Sequence, residues 1–166
     1  YGFEIAGIKL HAAIDTIIKD NKIHNTFGGI WLDWQAQGAR VTQNLIYENE
    51  FYDVFIEVSH GPHTVDNNIL LSNMNLIDAS QGGAFINNLM TGYLTTRETF
   101  ERYTPYHFAH STQIKGLITI VGGDNRYYNN IFTAQHNVYE TSGLTRYSDY
   151  PLVEKFTNDG LKRPLQ

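Results

Sequence analysis

A short motif recurs along the chain at a spacing that leaves few folds open. It reads apolar-x-x-Asn-x-apolar in Ile18-Lys19-Asp20-Asn21-Lys22-Ile23 and Val41-Thr42-Gln43-Asn44-Leu45-Ile46. It returns in Val65-Asp66-Asn67-Asn68-Ile69-Leu70 and Phe85-Ile86-Asn87-Asn88-Leu89-Met90. The Asn falls at 21, 44, 68 and 88, at intervals of 23, 24 and 20 residues. A fifth copy, Tyr127-Tyr128-Asn129-Asn130-Ile131-Phe132, comes 42 residues after the fourth, so that turn carries an insertion or hides a rung.

Periods of about 20–30 residues mean solenoids. The L-x-x-L-x-L signature of a leucine-rich repeat is missing, and helical-pair repeats need longer units. With 15 Asn and 14 Gly in 166 residues, the chain is also short of strong helix formers. Short β-rich runs broken by Asn and Gly fit an all-β parallel β-helix of about 23 residues per rung. Asn at a repeated turn tolerates left-handed backbone and can form a side-chain ladder between rungs. A sandwich with accidental Asn spacing is the alternative, and four copies in register argue against it. The rungs are expected over 1–135, with an inserted loop at 91–112, then a last irregular rung and tail over 136–166.

Composition narrows the function. Net charge is −5 with no Lys/Arg cluster, which argues against a phosphate-tracking nucleic-acid role. The absence of Cys excludes thiol catalysis, disulfides and thiolate zinc sites. No apolar run approaches the ~20 residues of a membrane helix. The first residue is Tyr rather than Met, so a piece of a longer protein is expected. Its compartment stays open, with the cytoplasm favoured for want of a visible signal peptide. The oligomeric state is open too, a homo-oligomer included.

Ten or eleven residues before each Asn lies an alternating strand: Ile8-Lys9-Leu10-His11, Ile30-Trp31-Leu32-Asp33, Val54-Phe55-Ile56-Glu57 and Asn75-Leu76-Ile77-Asp78. Alternation puts Leu10, Leu32, Ile56 and Ile77 inside, and His11, Asp33, Glu57 and Asp78 outside in one column. Lys9, Trp31, Phe55 and Leu76 form the neighbouring outward column, and Ala13, Gln35, Ser59 and Ser80 the next. Like charges opposite one another destabilise a sheet, so acids stacked on adjacent rungs need a reason. Carboxylates beside exposed aromatics suggest a sugar site, with Trp31 as stacking platform and Trp34, on the opposite face, in the core. Asp33 and Glu57 stand one rung apart, which places their carboxyl groups about 5 Å from each other. Retaining glycosidases hold their two carboxyls at about 5–5.5 Å, inverting ones at about 6.5–9.5 Å. The spacing therefore suggests double displacement, without saying which acid is the nucleophile.

The segments Gly28-Gly29-Ile30-Trp31-Leu32-Asp33-Trp34-Gln35-Ala36-Gln37-Gly38 and Asp53-Val54-Phe55-Ile56-Glu57-Val58-Ser59-His60-Gly61-Pro62 resemble those of glycoside hydrolase family 120 β-xylosidases. Glu4-Ile5-Ala6-Gly7-Ile8-Lys9-Leu10-His11-Ala12-Ala13 resembles the family segment preceding them, and Thr104-Pro105-Tyr106-His107-Phe108-Ala109-His110 resembles the family more weakly. The resemblance covers roughly residues 2–135. It implies a right-handed parallel β-helix, with a β-sandwich domain elsewhere in the full protein. It implies a retaining exo-acting β-xylosidase on short xylo-oligosaccharides. Asp33 would be the nucleophile, Glu57 the acid/base, and Glu4 a third carboxylate contacting the sugar. This chemistry needs no cofactor and no metal. The family's enzymes are far longer, so whether this chain folds or acts alone is open.

The remaining candidates are sugar contacts. His11 can hydrogen-bond Glu4, Asp33 or a hydroxyl, and Gln35 lies in an outward column. His60 and His63 straddle Gly61-Pro62 just past Glu57; two histidines without a third ligand make a poor metal site. Arg97, Glu98, Glu101 and Arg102 are spaced for a turn or two of amphipathic helix in the inserted segment, from which Tyr106, His107 and His110 can reach the sugar. Three other functions remain. A polysaccharide lyase would need more bases than Lys9. A non-catalytic adhesin or carbohydrate-binding β-helix would leave the acid pair idle. An α-L-arabinofuranosidase would use the same two carboxylates.

Overall fold

A computed structural model describes residues 4–122 and 124–134. The expected last rung and tail at 136–166 lie outside the described residues. Every regular element among the described residues is a strand. The first turn is β1 (Ile8–His11), β2 (Ile17–Lys19) and β3 (Lys22–His24); the second is β4 (Gly28–Asp33), β5 (Arg40–Thr42) and β6 (Leu45–Tyr47). The third is β7 (Tyr52–Asp66) and β8 (Ile69–Leu70), the fourth β9 (Met74–Ile86) and β10 (Leu89–Met90). In the last two turns, two strands of the wall run into one around the corner. Each turn pairs in parallel with the next, as in β1 with β4, β4 with β7, and β7 with β9. The chain is a parallel β-solenoid.

The Asn repeat is the hydrogen-bonding axis of this stack. Asn21, Asn44, Asn68 and Asn88 each donate from Nδ2 to Oδ1 of the next rung's Asn, ending at Asn130, at 2.9–3.0 Å. Their second amide hydrogen satisfies a backbone carbonyl, as Asn68 does for Val41 O at 2.9 Å. The left-handed residue is the one just before: Asp20, Gln43, Asn67, Asn87 and Asn129 have φ of 59°, 56°, 55°, 55° and 52°. The turn and the ladder, expected of one Asn, are therefore tasks of adjacent residues.

Four apolar columns fill the interior. One runs Ile8, Ile30, Val54, Leu76 and Leu94, and the next begins Leu10, Leu32 and Ile56. The other walls supply Ile18, Val41, Val65 and Phe85, and Ile23, Ile46, Leu70 and Met90. The fourth turn corrects the sequence reading by one residue. Val54 pairs Leu76, Phe55 pairs Ile77, Ile56 pairs Asp78, and Glu57 pairs Ala79. Asp78 therefore points into the solenoid below Ile56, and Ala79 stands beside Glu57. Leu76 belongs to the core and Ile77 to the outward column. The cause is a shorter turn whose register shifts twice more, between Glu57 and Ser59 and between His60 and His63.

The long interval before the fifth Asn is an insertion. β11 (Tyr93–Thr96) still pairs with β9; the chain then leaves as β12 (Thr99–His107), antiparallel to β13 (Ile114–Ile120). It returns as β14 (Arg126–Tyr128) and β15 (Ile131–Phe132), which complete the fifth rung. In place of the helical turn expected around Arg97–Arg102, strand β12 begins at Thr99, with Arg97 and Glu98 in the link before it. Thr95, Thr96, Thr99, Phe100, Tyr103, Thr104 and Tyr106 suit a pleated surface, and Ile114–Ile120 offers them a partner.

Candidate active site

The parallel register His11–Asp33–Glu57 brings three outward side chains of β1, β4 and β7 into one column. Asp33 and Glu57 pair directly across adjacent rungs, close enough for the Asp33 carboxyl to act on Glu57. Around them, donors divide by acid. Lys9 Nζ lies 2.8 Å from Asp33 Oδ2 and 2.8 Å from Glu4 Oε2. His11 Nδ1 lies 2.9 Å from the same Asp33 oxygen. On Glu57, Trp31 Nε1 donates to Oε2 at 3.0 Å and Arg102 Nη1 to Oε1 at 3.2 Å.

These surroundings drive the two acids apart. Burial pushes Asp33 up, but the hydrogen bonds and charges of Lys9 and His11 outweigh it, so its pKa falls below the ordinary value. Burial pushes Glu57 up as well, and the neighbouring Asp33 charge and hydrogen bond add to that; Trp31 and Arg102 oppose it without reversing it. The surroundings thus favour the charged form of Asp33 and the protonated form of Glu57. That division lets two carboxyls act as nucleophile and proton donor.

Trp31 is placed differently from the expected sugar platform. The parallel stack puts Lys9 Nζ 4.2 Å from its ring centroid, and it stacks on Phe55 at 5.4 Å. With partners along the column, the indole contributes its N–H to Glu57 rather than an open face. Trp34, expected in the core, lies half-buried at the site. Its φ of 48° turns the chain out of the strand. Its ring then meets the Arg102 guanidinium at 4.9 Å and the edge of His11 at 5.9 Å.

Glu4 and His11 stand where the sequence placed them, Glu4 reaching Asp33 only through Lys9. The other expected sugar contacts serve the hairpin. Gln35 Oε1 accepts from His107 Nε2 at 2.8 Å, and Gln37 Oε1 from the His107 backbone N–H at 2.7 Å. His60 is buried, with Nε2 2.7 Å from Thr104 Oγ1 and Nδ1 3.1 Å from Gln81 Nε2. His63 lies on Ser80 instead, so the two histidines have separate partners. His110 pairs with Asp15. Tyr106 packs edge-on to His60 and lines with it a cleft of about 390 Å³ that also includes Gln81, Asp124 and Arg126, but neither Asp33 nor Glu57. Among the described residues no group of three or more His, Asp or Glu is placed to hold a metal ion.

Sequence reasoning missed three residues at this site. Lys9 is visible in the column beside the acids, but the sequence marks it only as a lone base. Trp34 follows Asp33 directly, and only its left-handed φ redirects it. Arg102 is 45 residues from Glu57 and reaches it only through the hairpin, so no local pattern signals it.

With this geometry in place, the likenesses to known proteins fall into line. A solved structure described as the complex structure of XylC with xylose is 48% identical to this chain with a TM-score of 0.83. The alignment covers 99% of this chain and 26% of that one, so the chain spans about a quarter of that protein's length. These findings agree with the resemblance to family 120 β-xylosidases. No curated protein matches the sequence. The family described as "Right handed beta helix region" matches residues 4–90, more than half of the chain, and the chain belongs to that family.

Proposed function

We propose that this chain carries the catalytic wall of a retaining exo-β-xylosidase acting on xylo-oligosaccharides, with Asp33 as nucleophile and Glu57 as acid/base. The observation that carries the reading is the direct pairing of Asp33 and Glu57 on adjacent rungs, with the two acids biased in opposite directions. A relative at 48% identity solved with xylose supports the choice of sugar.

In the first half-reaction an Asp33 oxygen forms a bond to the anomeric carbon of the terminal xylose. The glycosidic bond breaks, and the Glu57 proton goes to the departing oxygen. In the second half, Glu57 takes a proton from water as the water oxygen attacks the same carbon. The ester bond breaks and its electron pair returns to Asp33. Two inversions give net retention. Lys9 and His11 favour the anionic Asp33 that attacks, and burial with the Asp33 charge favours the protonated Glu57 that serves the leaving group.

The test uses the protein that carries this chain and an aryl β-xyloside, with proton NMR of the first-formed sugar. β-Xylose as the initial product supports the reading, and α-xylose removes it. Asp33→Asn is expected to lose at least about a thousandfold in kcat. Glu57→Ala should recover turnover in azide and release a β-xylosyl azide. Absence of that product from an otherwise folded variant removes Glu57 as the acid/base. An aryl glycoside panel separates xylose from arabinose and glucose.

A further inference from the structure

We propose that Arg102, carried by the hairpin that interrupts the fifth turn, is a positioning residue for Glu57 and its charge partner while Asp33 is esterified. This rests on the reading of Asp33 and Glu57 as nucleophile and acid/base.

The hairpin is fastened to the solenoid at several points. The His107 backbone and ring are held by Gln37 and Gln35, Thr104 meets His60, and the Val121 N–H donates to Gln81 Oε1 at 3.2 Å. Arg102 lies between these fastenings. Its Nη1 takes one Glu57 oxygen, while Trp31 takes the other. Each Glu57 oxygen thus has its own donor, and rotation of the carboxyl would sacrifice both. The guanidinium in turn rests on Trp34, whose ring touches His11, the donor to Asp33. One chain of contacts therefore runs from the inserted hairpin to both acids.

The charges explain why a cation is useful there. Asp33 and Glu57 together carry one negative charge in the resting state and one in the intermediate. The charge starts on Asp33, beside Lys9 and His11, and ends on Glu57 once the ester has formed. Lys9 and His11 make no hydrogen bond to Glu57. Among the described residues, Arg102 is the cation that does. Among the described residues, Asp33 on β4 also acts on Glu57, and Tyr52 on β7 feels the Glu57 charge; Arg97, at the foot of the hairpin, lies over Phe55 rather than over the acid.

The experiment is the pH profile of kcat/KM in the protein carrying this chain, for wild type, Arg102→Met, Arg102→Lys and Asp33→Asn. Its basic limb reports loss of the Glu57 proton. Removing a half-exposed cation should move that limb to higher pH by roughly half a unit, as expected for a partly screened pair. Arg102→Lys restores the charge and should bring the limb back. An active Arg102→Met with an unmoved limb overturns the proposal, because a merely structural arginine would lower kcat without shifting it. If Arg102→Met does not fold, the neutral Arg102→Gln takes its place: a raised limb supports the proposal, and a limb at the wild-type position overturns it. Full activity in Asp33→Asn removes the underlying reading and the proposal with it. An inactive Asp33→Asn with an unmoved Arg102→Met limb removes the proposal alone.

Discussion

Asp78→Asn should make the protein more stable at neutral pH, although it removes no clash and adds no contact. Asp78 points into the solenoid, where Ser80, Asn125 and Tyr127 donate to it, and burial pushes its pKa from 3.8 up to about 6 against those hydrogen bonds. Its stabilising contribution is complete below 3.8, where both folded and unfolded forms are protonated, and is lost as pH rises through about 6. At about 1.4 kcal/mol per unit, a rise of roughly two units costs the folded state about 3 kcal/mol at pH 7. An amide stays neutral and fits the same partners. Its Oδ1 accepts from Asn125 and Tyr127, and its Nδ2 donates to Ser80 Oγ.

His63 runs the other way, across the same serine. Its Nε2 lies 3.2 Å from Ser80 Oγ and its Nδ1 has no hydrogen-bond partner, which assigns the proton to Nε2. Burial lowers its pKa from 6.5 to about 4, so its contribution is present above 6.5 and lost as pH falls through about 4. In wild type the two opposed slopes largely offset each other between pH 4 and 6. Asp78→Asn should uncover the histidine slope. Urea unfolding followed by far-ultraviolet circular dichroism at pH 4, 5, 6 and 7 reads this directly. The variant should exceed wild type by about 3 kcal/mol at pH 7 and match it within about 0.5 kcal/mol at pH 4. A difference that does not change with pH refutes the burial argument for Asp78.

Three further perturbations follow from the same contacts. Lys9→Met removes the shared cation of Glu4 and Asp33, so the acidic limb of kcat/KM should move up by roughly half a unit to one unit; an unmoved limb means Lys9 does not set the Asp33 charge. Asn68→Ala strands the Asn44 backbone and side-chain donors, Val41 O and one bond of Asn88 Oδ1, and should cost at least about 3 kcal/mol in urea unfolding. A Cβ on Gly29 would lie 2.3 Å from Asp53 O and 2.7 Å from Ile46 Cγ2, so Gly29→Ala should lose about 2–3 kcal/mol, read as a lowered urea midpoint.

The second and third turns were legible because they have the same length throughout. Asp33 to Glu57 and Asn44 to Asn68 are both 24 residues, so the Asn interval transfers to the acid pair without correction. The third and fourth turns break that rule. Their Asn interval of 20 tells how many residues are lost but not where. Pairing shows the loss distributed: Val54 to Leu76 spans 22 residues and Val65 to Phe85 spans 20, with the two register shifts between them. Reading the shorter interval too early slides the strand by one residue, and one residue exchanges inside for outside. That is how Asp78, a buried acid, reads as a member of the exposed column.

Alternation offers no rescue at that point. Leu76, Ile77, Asp78 and Ala79 are all buried. A strand covered on both sides loses the polar half of its pattern. The hairpin strand β13 packs near both β7 and β9. The same hairpin delivers Arg102 to Glu57. The misread register comes from the shortened turn, and the missed arginine from the insertion. A non-local insertion packs on the catalytic wall, and neither its strand pairing nor its landing place is encoded in any window that contains the acids. The acids themselves, held by nearest-neighbour rungs, are encoded in such a window, which is why the pair is readable and its fourth-turn neighbour is not.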